Sequence, residues 1–175
     1  MSRLPIEDVL PALRRTLTEG RNALLTAAPG AGKTTRVPLA LLDAPWLAGK
    51  SLLMLEPRRL AARAAAYRMA FTLGEPVGRT VGYRMRLNTK IGPETKIEVV
   101  TEGILGRLLQ QDPALSAYAI VLFDEFHERS LQADTGLALC LESQRIFRPD
   151  LRLLVMSATL DCGPVSDLLG RRRAR

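Results

Sequence analysis

The sequence has little of what a metal centre, a disulfide scaffold or a membrane segment requires. Its 175 residues include two cysteines, Cys140 and Cys162, and a single histidine, His127. The cysteines lack the spacing of metal ligands, which argues against a structural metal site. No apolar run approaches the roughly 20 residues that a membrane-spanning helix needs. With 47% hydrophobic residues and no low-complexity tract, the chain is expected to be globular.

The first residues bear on the cellular compartment, and the net charge bears on the kind of partner. Residues 1–8 contain no apolar segment of the kind found in secretory signals, so a cytoplasmic protein is expected. A disulfide is not expected in that compartment. Four of the net +7 charges come from arginines in the last five residues, the basic tail 171–175. Such a tail can attract nucleic acid, but the placement of individual arginines is a better indication of a nucleic-acid partner.

Hydrophobic patterning alternates between strand and helix along the chain. Apolar residues that recur every three or four positions predict a first helix over 5–18. Continuous apolar runs predict buried strands, and further helices are expected between them. The predicted strands lie at 22–28, 51–56, 81–86, 96–101, 119–124 and 152–157, and the helices at 33–42, 58–73, 102–111, 131–145 and from 164. This order predicts one α/β domain, residues 1–170, with a mainly parallel sheet covered on both faces.

A glycine-rich segment follows the first predicted strand. Residues 28–35 read Ala-Pro-Gly-Ala-Gly-Lys-Thr-Thr and lead into a helix, which is the context of a phosphate-binding loop. The N–H groups of such a loop and helix favour an anion. Lys33 is then expected to face the β- and γ-phosphates and Thr34 to offer its hydroxyl to Mg²⁺. Ala27 replaces the first glycine of the motif, and a glycine- and alanine-rich helix cap is the alternative.

Two carboxylates follow the strand predicted at 119–124. Asp124 can hold Mg²⁺ at the carboxyl end of that strand, and Glu125 can orient or deprotonate a water. Taken alone, the pair also fits a strand that ends in solvated charges. Combined with the loop that contains Lys33, it predicts a site that hydrolyses a nucleoside triphosphate, with ATP and Mg²⁺ as cofactors and Lys33, Asp124 and Glu125 as catalytic residues.

Five motifs occur in a characteristic order. They are the loop at 28–35, Leu55-Glu56-Pro57-Arg58-Arg59-Leu60-Ala61-Ala62, Thr101-Glu102-Gly103-Ile104-Leu105, Asp124-Glu125-Phe126-His127-Glu128-Arg129-Ser130 and Ser157-Ala158-Thr159-Leu160-Asp161. Over about residues 5–169 the chain resembles the DEAH-box ATP-dependent helicases of superfamily 2, and among them the bacterial HrpB-like branch. Phe126 stands where that family has alanine. The resemblance implies a three-layer, RecA-like P-loop NTPase fold and the first of two RecA-like domains.

The resemblance also implies residue roles. Nucleotide binding is implied for the loop residues and for an arginine against the adenine, namely Pro29, Gly30, Ala31, Gly32, Lys33, Thr34, Thr35 and Arg68. Contacts to a nucleic-acid backbone are implied for Arg58, Arg59, Arg86, Thr101 and Gly103. A relay between hydrolysis and strand movement is implied for Ser157 and Thr159, and coupling of the nucleotide site to the second RecA-like domain is implied for His127.

The residues themselves leave structural alternatives open. Arg68 could equally be an ordinary exposed arginine on a helix. Arg58, Arg59 and Arg86 could equally form a solvated basic face. His127 also fits a structural hydrogen bonder. The Ser157 and Thr159 hydroxyls also fit groups that satisfy backbone atoms at a strand end.

The predicted function is the ATP-binding half of a helicase that acts on single-stranded nucleic acid, RNA or DNA. The family's second RecA-like domain, which carries the arginine fingers, is expected to be missing because the sequence ends soon after Thr159. The chain alone is therefore not expected to unwind a duplex. A non-catalytic nucleotide- or RNA-binding module is the alternative. The segments at 57–59 and 157–159 argue against a different P-loop ATPase.

Overall fold

A computed structural model of the protein describes residues 4–20, 22–159 and 163–170. Seven of its strands form one sheet, in the order β1-β7-β6-β2-β5-β3-β4. The strands are β1 Asn22–Thr26, β2 Ser51–Leu55, β3 Val81–Met85, β4 Asn88–Lys90, β5 Ile97–Val100, β6 Tyr118–Phe123 and β7 Arg152–Ser157. Neighbouring strands are parallel except for the hairpin of β3 and β4.

Helices cover both faces of this sheet. They are α1 Leu10–Glu19, α2 Lys33–Ala40, α3 Arg59–Thr72, α4 Glu102–Gln111, α5 Leu131–Ile146 and α6 Gly163–Leu168. Alternate strand residues point to opposite faces. Leu52 therefore packs in the core under α1, α2 and α3, whereas Leu53 packs in the core under α4, α5 and α6. The predicted three-layer α/β architecture is confirmed.

The first predicted helix is divided in two. Residues Pro5–Asp8 form a 3-10 turn, and α1 begins only at Leu10. Pro11, in the first turn of α1, has no N–H to bond to a preceding turn, so a proline belongs at a helix start rather than in its interior. The expectation of one continuous helix over 5–18 was therefore wrong.

Strand β4 was not predicted at all. Asn88–Lys90 is three residues long, polar and mostly exposed, so it carries no hydrophobic signal. The other elements lie where they were predicted, within about two residues at most ends. Hydrogen bonding between Tyr83 and Lys90, and between Met85 and Asn88, pairs β4 with β3 at the sheet edge.

Cys140 on α5 is buried in the core, and its burial raises the pKa of the thiol to about 12. Cys162 and the basic tail 171–175 lie outside the described residues. In the described ranges, no helix is both long enough and apolar enough to cross a membrane.

Candidate active site

The candidate site lies at the carboxyl edge of the sheet, where β1, β7, β6 and β2 end side by side. Two backbone bonds extend the ladder past the strand ends. Ala27 donates its N–H to the carbonyl of Ser157 at 3.1 Å, and Asp124 donates to the carbonyl of Leu55 at 2.9 Å. Ligands of open parallel sheets bind at this edge. The loop after β1 and the carboxylates after β6 therefore belong to one edge, as the sequence predicted.

The loop between β1 and α2 takes its shape from two glycines. Gly30 has φ +78° and Gly32 has φ +97°, a region that residues with a Cβ rarely adopt. Ala27 is not among the described residues with positive φ. The replacement of the motif's first glycine by alanine therefore does not strain the backbone.

Lys33 is the first residue of α2, and its side chain is folded back over the loop. Its Nζ donates to the carbonyl of Ala27 at 2.5 Å and to that of Ala28 at 3.1 Å. The residue is 4% exposed. The Lys33 ammonium is buried and bonded to neutral backbone carbonyls. An anion bound in the loop would therefore compete for it.

The N-terminal segment forms a wall of the loop. Ile6 donates its N–H to the carbonyl of Ala31 at 3.2 Å. A Cβ added to Gly32 would lie 2.7 Å from Cδ1 of Leu4, so the two segments are in close contact. This packing was not predicted, because the expected helix over 5–18 had no link to the loop.

Asp124 is buried below the loop, at 3% exposure. Burial raises the pKa of this carboxyl to about 6, with Glu125 adding to the rise and the Thr34 hydroxyl and Lys33 opposing it. Oδ1 accepts the N–H of Glu125 at 2.9 Å. Oδ2 is buried without a hydrogen bond of ordinary geometry, although the Thr34 hydroxyl is close enough to lower the pKa. A buried carboxyl with one unsatisfied oxygen and a hydroxyl close to the group fits a hard cation such as Mg²⁺.

Glu125 has φ +50° and is tied to the end of β7 through His127. Nε2 of His127 lies 3.1 Å from Oε2 of Glu125. On the other side of the ring, Nδ1 accepts the N–H of Ala158 at 3.1 Å. In the neutral ring the proton is then on Nε2, which donates to Glu125. His127 therefore bridges the loop after β6 to the segment after β7.

The polar group of Glu125, His127 and Glu128 does not form a metal site in this arrangement. One ligand atom from each of the three lies within 4.8 Å of the others. A metal on Nε2, with Nδ1 still accepting from Ala158, would use both ring lone pairs and leave no ring proton. That state of imidazole is strongly disfavoured near neutral pH.

Ser157 and Thr159 form hydrogen bonds with each other. Thr159 donates its N–H to Oγ of Ser157 at 3.3 Å, and the two hydroxyl oxygens lie 3.5 Å apart. These are the local hydroxyl-to-backbone bonds expected where a strand ends. They place both side chains directly beside Ala158 and thus beside His127.

The residues expected to contact nucleic acid follow three adjacent strands, β2, β5 and β3. Arg58 lies at the N-terminus of α3, and the Arg59 guanidinium donates to the carbonyl of Arg86 at 3.0 Å, joining α3 to the hairpin. Thr101 precedes α4 without a side-chain cap bond, and a Cβ at Gly103 would meet nothing within 4 Å. These five residues form a polar strip along the same edge as the loop.

Arg68 lies on the exposed side of α3. In the part of the chain that the structure describes, no hydrogen bond joins its guanidinium to the loop. The role of Arg68 at the adenine therefore stays a prediction.

Three acidic residues of the site were not predicted from the sequence. Glu56 follows β2 and is 1% exposed; burial raises its pKa to about 7, with Asp124 and Glu125 adding to the rise. Glu102 accepts a short 2.5 Å bond from the hydroxyl of Ser130, and Glu128 lies 3.3 Å from Nη2 of Arg58. Glu56 carried a usable signal, because it ends an apolar strand as Asp124 does.

Together, the glycine loop with its lysine and the buried carboxylates on a parallel sheet define a RecA-like P-loop domain. Residues 8–168 match the DEAD/DEAH box helicase family, and the chain belongs to that family. It is 54% identical to the ATP-dependent RNA helicase HrpB of Escherichia coli over 97% of this chain and 21% of that protein. It is 35% identical to the DExH-box ATP-dependent RNA helicase DExH2 of Arabidopsis thaliana over 97% of this chain and 11% of that protein.

A solved structure shows the same fold. The crystal structure of the Escherichia coli DEAH/RHA helicase HrpB superposes with a TM-score of 0.92 at 51% identity, over 97% of this chain and 22% of that one. The chain thus spans about one fifth of the length of HrpB.

Proposed function

We propose that this chain is the ATP-binding domain, the first of two RecA-like domains, of an ATP-dependent helicase that acts on single-stranded RNA. The observation that carries the proposal is the buried Asp124 carboxyl, whose Oδ2 has no hydrogen bond and whose pKa is influenced by Thr34, Lys33 and Glu125. RNA rather than DNA is supported by relatives that are named RNA helicases.

The loop residues bind the phosphates of ATP. Their backbone N–H groups and the N-terminus of α2 offer positive potential to an anion. Lys33 exchanges its contacts with the carbonyls of Ala27 and Ala28 for the β- and γ-phosphates. Pro29, Gly30, Ala31, Gly32 and Thr35 shape the cradle, and Arg68 on α3 lies against the adenine.

Thr34 and Asp124 are the residues that would hold Mg²⁺. The ion, when bound, draws negative charge from the phosphate oxygens. Glu125 orients a water and accepts its proton as the water attacks the γ-phosphate. His127 occupies one carboxylate oxygen of Glu125, so the water is expected at the other. Positioning and electrostatics of this kind supply most of the catalysis in phosphoryl transfer.

The strip of Arg58, Arg59, Arg86, Thr101 and Gly103 binds the nucleic-acid backbone. Contacts to phosphate and sugar position a strand but do not read its sequence. His127 couples the nucleotide site to the second RecA-like domain, and Ser157 and Thr159 relay hydrolysis to strand movement. In support, His127 joins the loop after β6 to the segment between Ser157 and Thr159.

Residues 1–170 form the domain, and 171–175 are a basic tail. The partner of the domain is a second RecA-like domain that these 175 residues do not include. Arginine fingers, by the family resemblance, belong to that second domain, and such a finger contributes about 10³–10⁵ in rate. The domain alone is therefore expected to bind ATP, to hydrolyse it at a trace rate and not to unwind a duplex.

The test compares ATP hydrolysis and strand displacement by this chain and by its Glu125→Gln variant. A trace of Mg²⁺-dependent hydrolysis that the variant loses, without strand displacement, supports an enzyme domain. ATP binding with no hydrolysis in either protein would instead favour the non-catalytic binding module. Efficient unwinding that Glu125→Gln abolishes would contradict the need for a second domain.

A further inference from the structure

Arg58 lies at the N-terminus of α3, where a positive charge is unfavourable, and it contacts the carboxylates of Glu56 and Glu128. It precedes the first residue of α3, where the helix dipole disfavours a cation. Its Nη2 lies 3.3 Å from Oε1 of Glu128, and its Nε lies 3.8 Å from Oε1 of Glu56. The Arg58 side chain is 62% exposed, so a ligand in solution can reach it.

The two carboxylates are not equivalent. Glu56 is buried and also accepts the backbone N–H of Arg58 at 3.1 Å, so it is a fixed part of the helix start. Glu128 is 38% exposed and lies on the 3-10 turn Phe126–Glu128, directly after Asp124 and Glu125. Of the two, only Glu128 can move away from Arg58 without disturbing the core.

We infer that Glu128 is a positioning residue that competes with the nucleic-acid backbone for Arg58. This inference rests on the proposed function of Arg58 as a phosphate contact. A carboxylate and a phosphate offer similar oxygen pairs to a guanidinium, so the same face of Arg58 cannot serve both. A phosphate that binds Arg58 through Nη2 therefore displaces Glu128.

The contact is weak enough to be displaced. A solvent-exposed ion pair at 3.3 Å adds little to stability and is screened by salt. Neutralising Glu128 should tighten binding of a single-stranded oligoribonucleotide by about threefold, the effect of removing one such exposed pair. The gain should require Arg58, because Glu128 acts on the strand through that side chain.

The contact between Arg58 and Glu128 also involves the loop after β6, which carries Glu125. The N–H of Glu128 donates to the carbonyl of Glu125 at 2.9 Å, which closes the 3-10 turn. In the nucleic-acid-free protein, the ion pair with Arg58 therefore ties the turn that follows Glu125 to the start of α3. A phosphate on Arg58 releases this tie.

The experiment is a double-mutant cycle. Fluorescence anisotropy with a labelled single-stranded oligoribonucleotide at low ionic strength measures the Kd of wild type, Glu128→Gln, Arg58→Ala and the double variant. Glu142→Gln is the matched control, since it removes the same charge from an exposed pair with Arg145 on α5. The inference predicts about threefold tighter binding for Glu128→Gln, no such gain in the Arg58→Ala background, and no change for Glu142→Gln.

Equal tightening with and without Arg58, or none at all, would overturn the inference. Circular dichroism checks that each variant is folded. If wild type binds no oligoribonucleotide, the proposed function of the strip fails, and a second measurement decides on Glu128. ¹⁵N relaxation of the Arg58 Nε–H group should then show a more mobile guanidinium in Glu128→Gln, and unchanged mobility would contradict the competition.

Discussion

The Nε2 atom of His127 lies 3.1 Å from Oε2 of Glu125, and this contact fixes the direction of the carboxylate that is expected to activate water. The opposite ring nitrogen accepts the N–H of Ala158. Replacing His127 by alanine should lower the free energy of unfolding by about 1–3 kcal/mol, the effect of removing two hydrogen bonds of about 0.5–1.5 kcal/mol each. It should leave the affinity for Mg²⁺-ATP unchanged, since in the described residues the polar contacts of His127 are with Glu125 and Ala158 and not with the phosphate-binding loop.

Chemical denaturation and calorimetry on the same samples check this pair of outcomes. A marked drop in ATP affinity in His127→Ala would place the ring in the nucleotide cradle and contradict its bridging position.

Lys33→Ala should weaken binding of Mg²⁺-ATP by about 10- to 100-fold. The variant removes the ammonium that the loop holds, and hydrogen bonds to charged groups contribute about 1.5–3 kcal/mol. Titration calorimetry measures the change. Lys96→Ala is the control, because Lys96 is an exposed lysine before β5, at the opposite edge of the sheet. Equal affinity in wild type and Lys33→Ala would remove the nucleotide assignment.

Thr34→Ala should reduce the increase in ATP affinity that Mg²⁺ provides, because the Thr34 hydroxyl lies close to the Asp124 carboxyl, which has an unbonded oxygen. ATP affinity is to be measured with Mg²⁺ and with EDTA. A several-fold decrease is expected only when Mg²⁺ is present, and Thr72→Ala on α3 should show none. An equal decrease in EDTA would mean that Thr34 shapes the loop rather than holding the ion.

Glu56 should make the protein less stable as the pH rises. Burial raises its pKa from the ordinary 4.5 to about 7, so the folded state binds the proton more tightly than the unfolded state. Stability is then lost between about pH 4.5 and pH 7 and stays lower above that range. The decrease in the free energy of unfolding is about 3 kcal/mol. Glu56→Gln avoids it because glutamine carries no charge.

Urea denaturation at pH 5 and pH 8 tests the prediction. Glu56→Gln should be more stable than wild type at pH 8, with a much smaller difference at pH 5. Because Asp124 titrates in both proteins, the difference between the two curves reports Glu56 together with its coupling to Asp124. Parallel curves would show that Glu56 is not protonated in the folded protein near neutral pH.

Nucleic-acid binding should be weak, salt-sensitive and nearly independent of sequence. Replacing Arg58 and Arg59 together should lower the salt dependence by about 0.7 in log–log slope for each single-strand phosphate that the protein no longer neutralises. Deletion of 171–175 must be measured in parallel, since the tail carries four arginines. Binding that vanishes with the tail but survives Arg58→Ala/Arg59→Ala would show that the strip is not the binding surface.

The sheet was predictable from sequence because its central strands are continuous apolar runs, as in the wholly buried β6. The loop was predictable because Gly30 and Gly32 supply the positive φ angles that it needs. Asp124 and Glu125 were predictable because parallel strands bring their carboxyl ends to one edge. All three depend on local sequence or on strand direction.

What could not be predicted depends on packing between distant segments. The contact of Leu4 with Gly32 and the bond from Ile6 to Ala31 join residues that no sequence pattern connects. The hydrophobic pattern of the sequence likewise does not predict the exposed ion pair of Glu128 and Arg58. Strand β4 is held by its partner β3 rather than by any propensity of its own.

The wall that residues 4–8 build against the loop has a practical consequence for how the protein is made. Because Ile6 is buried at 1% exposure and bonds to Ala31, the start of the polypeptide helps to keep the phosphate cradle in shape. A shortened start or a bulky tag fused close to Leu4 would alter that support. Weak nucleotide binding in such a preparation would then reflect the choice of expression boundary, not the chemistry of Lys33 or Asp124.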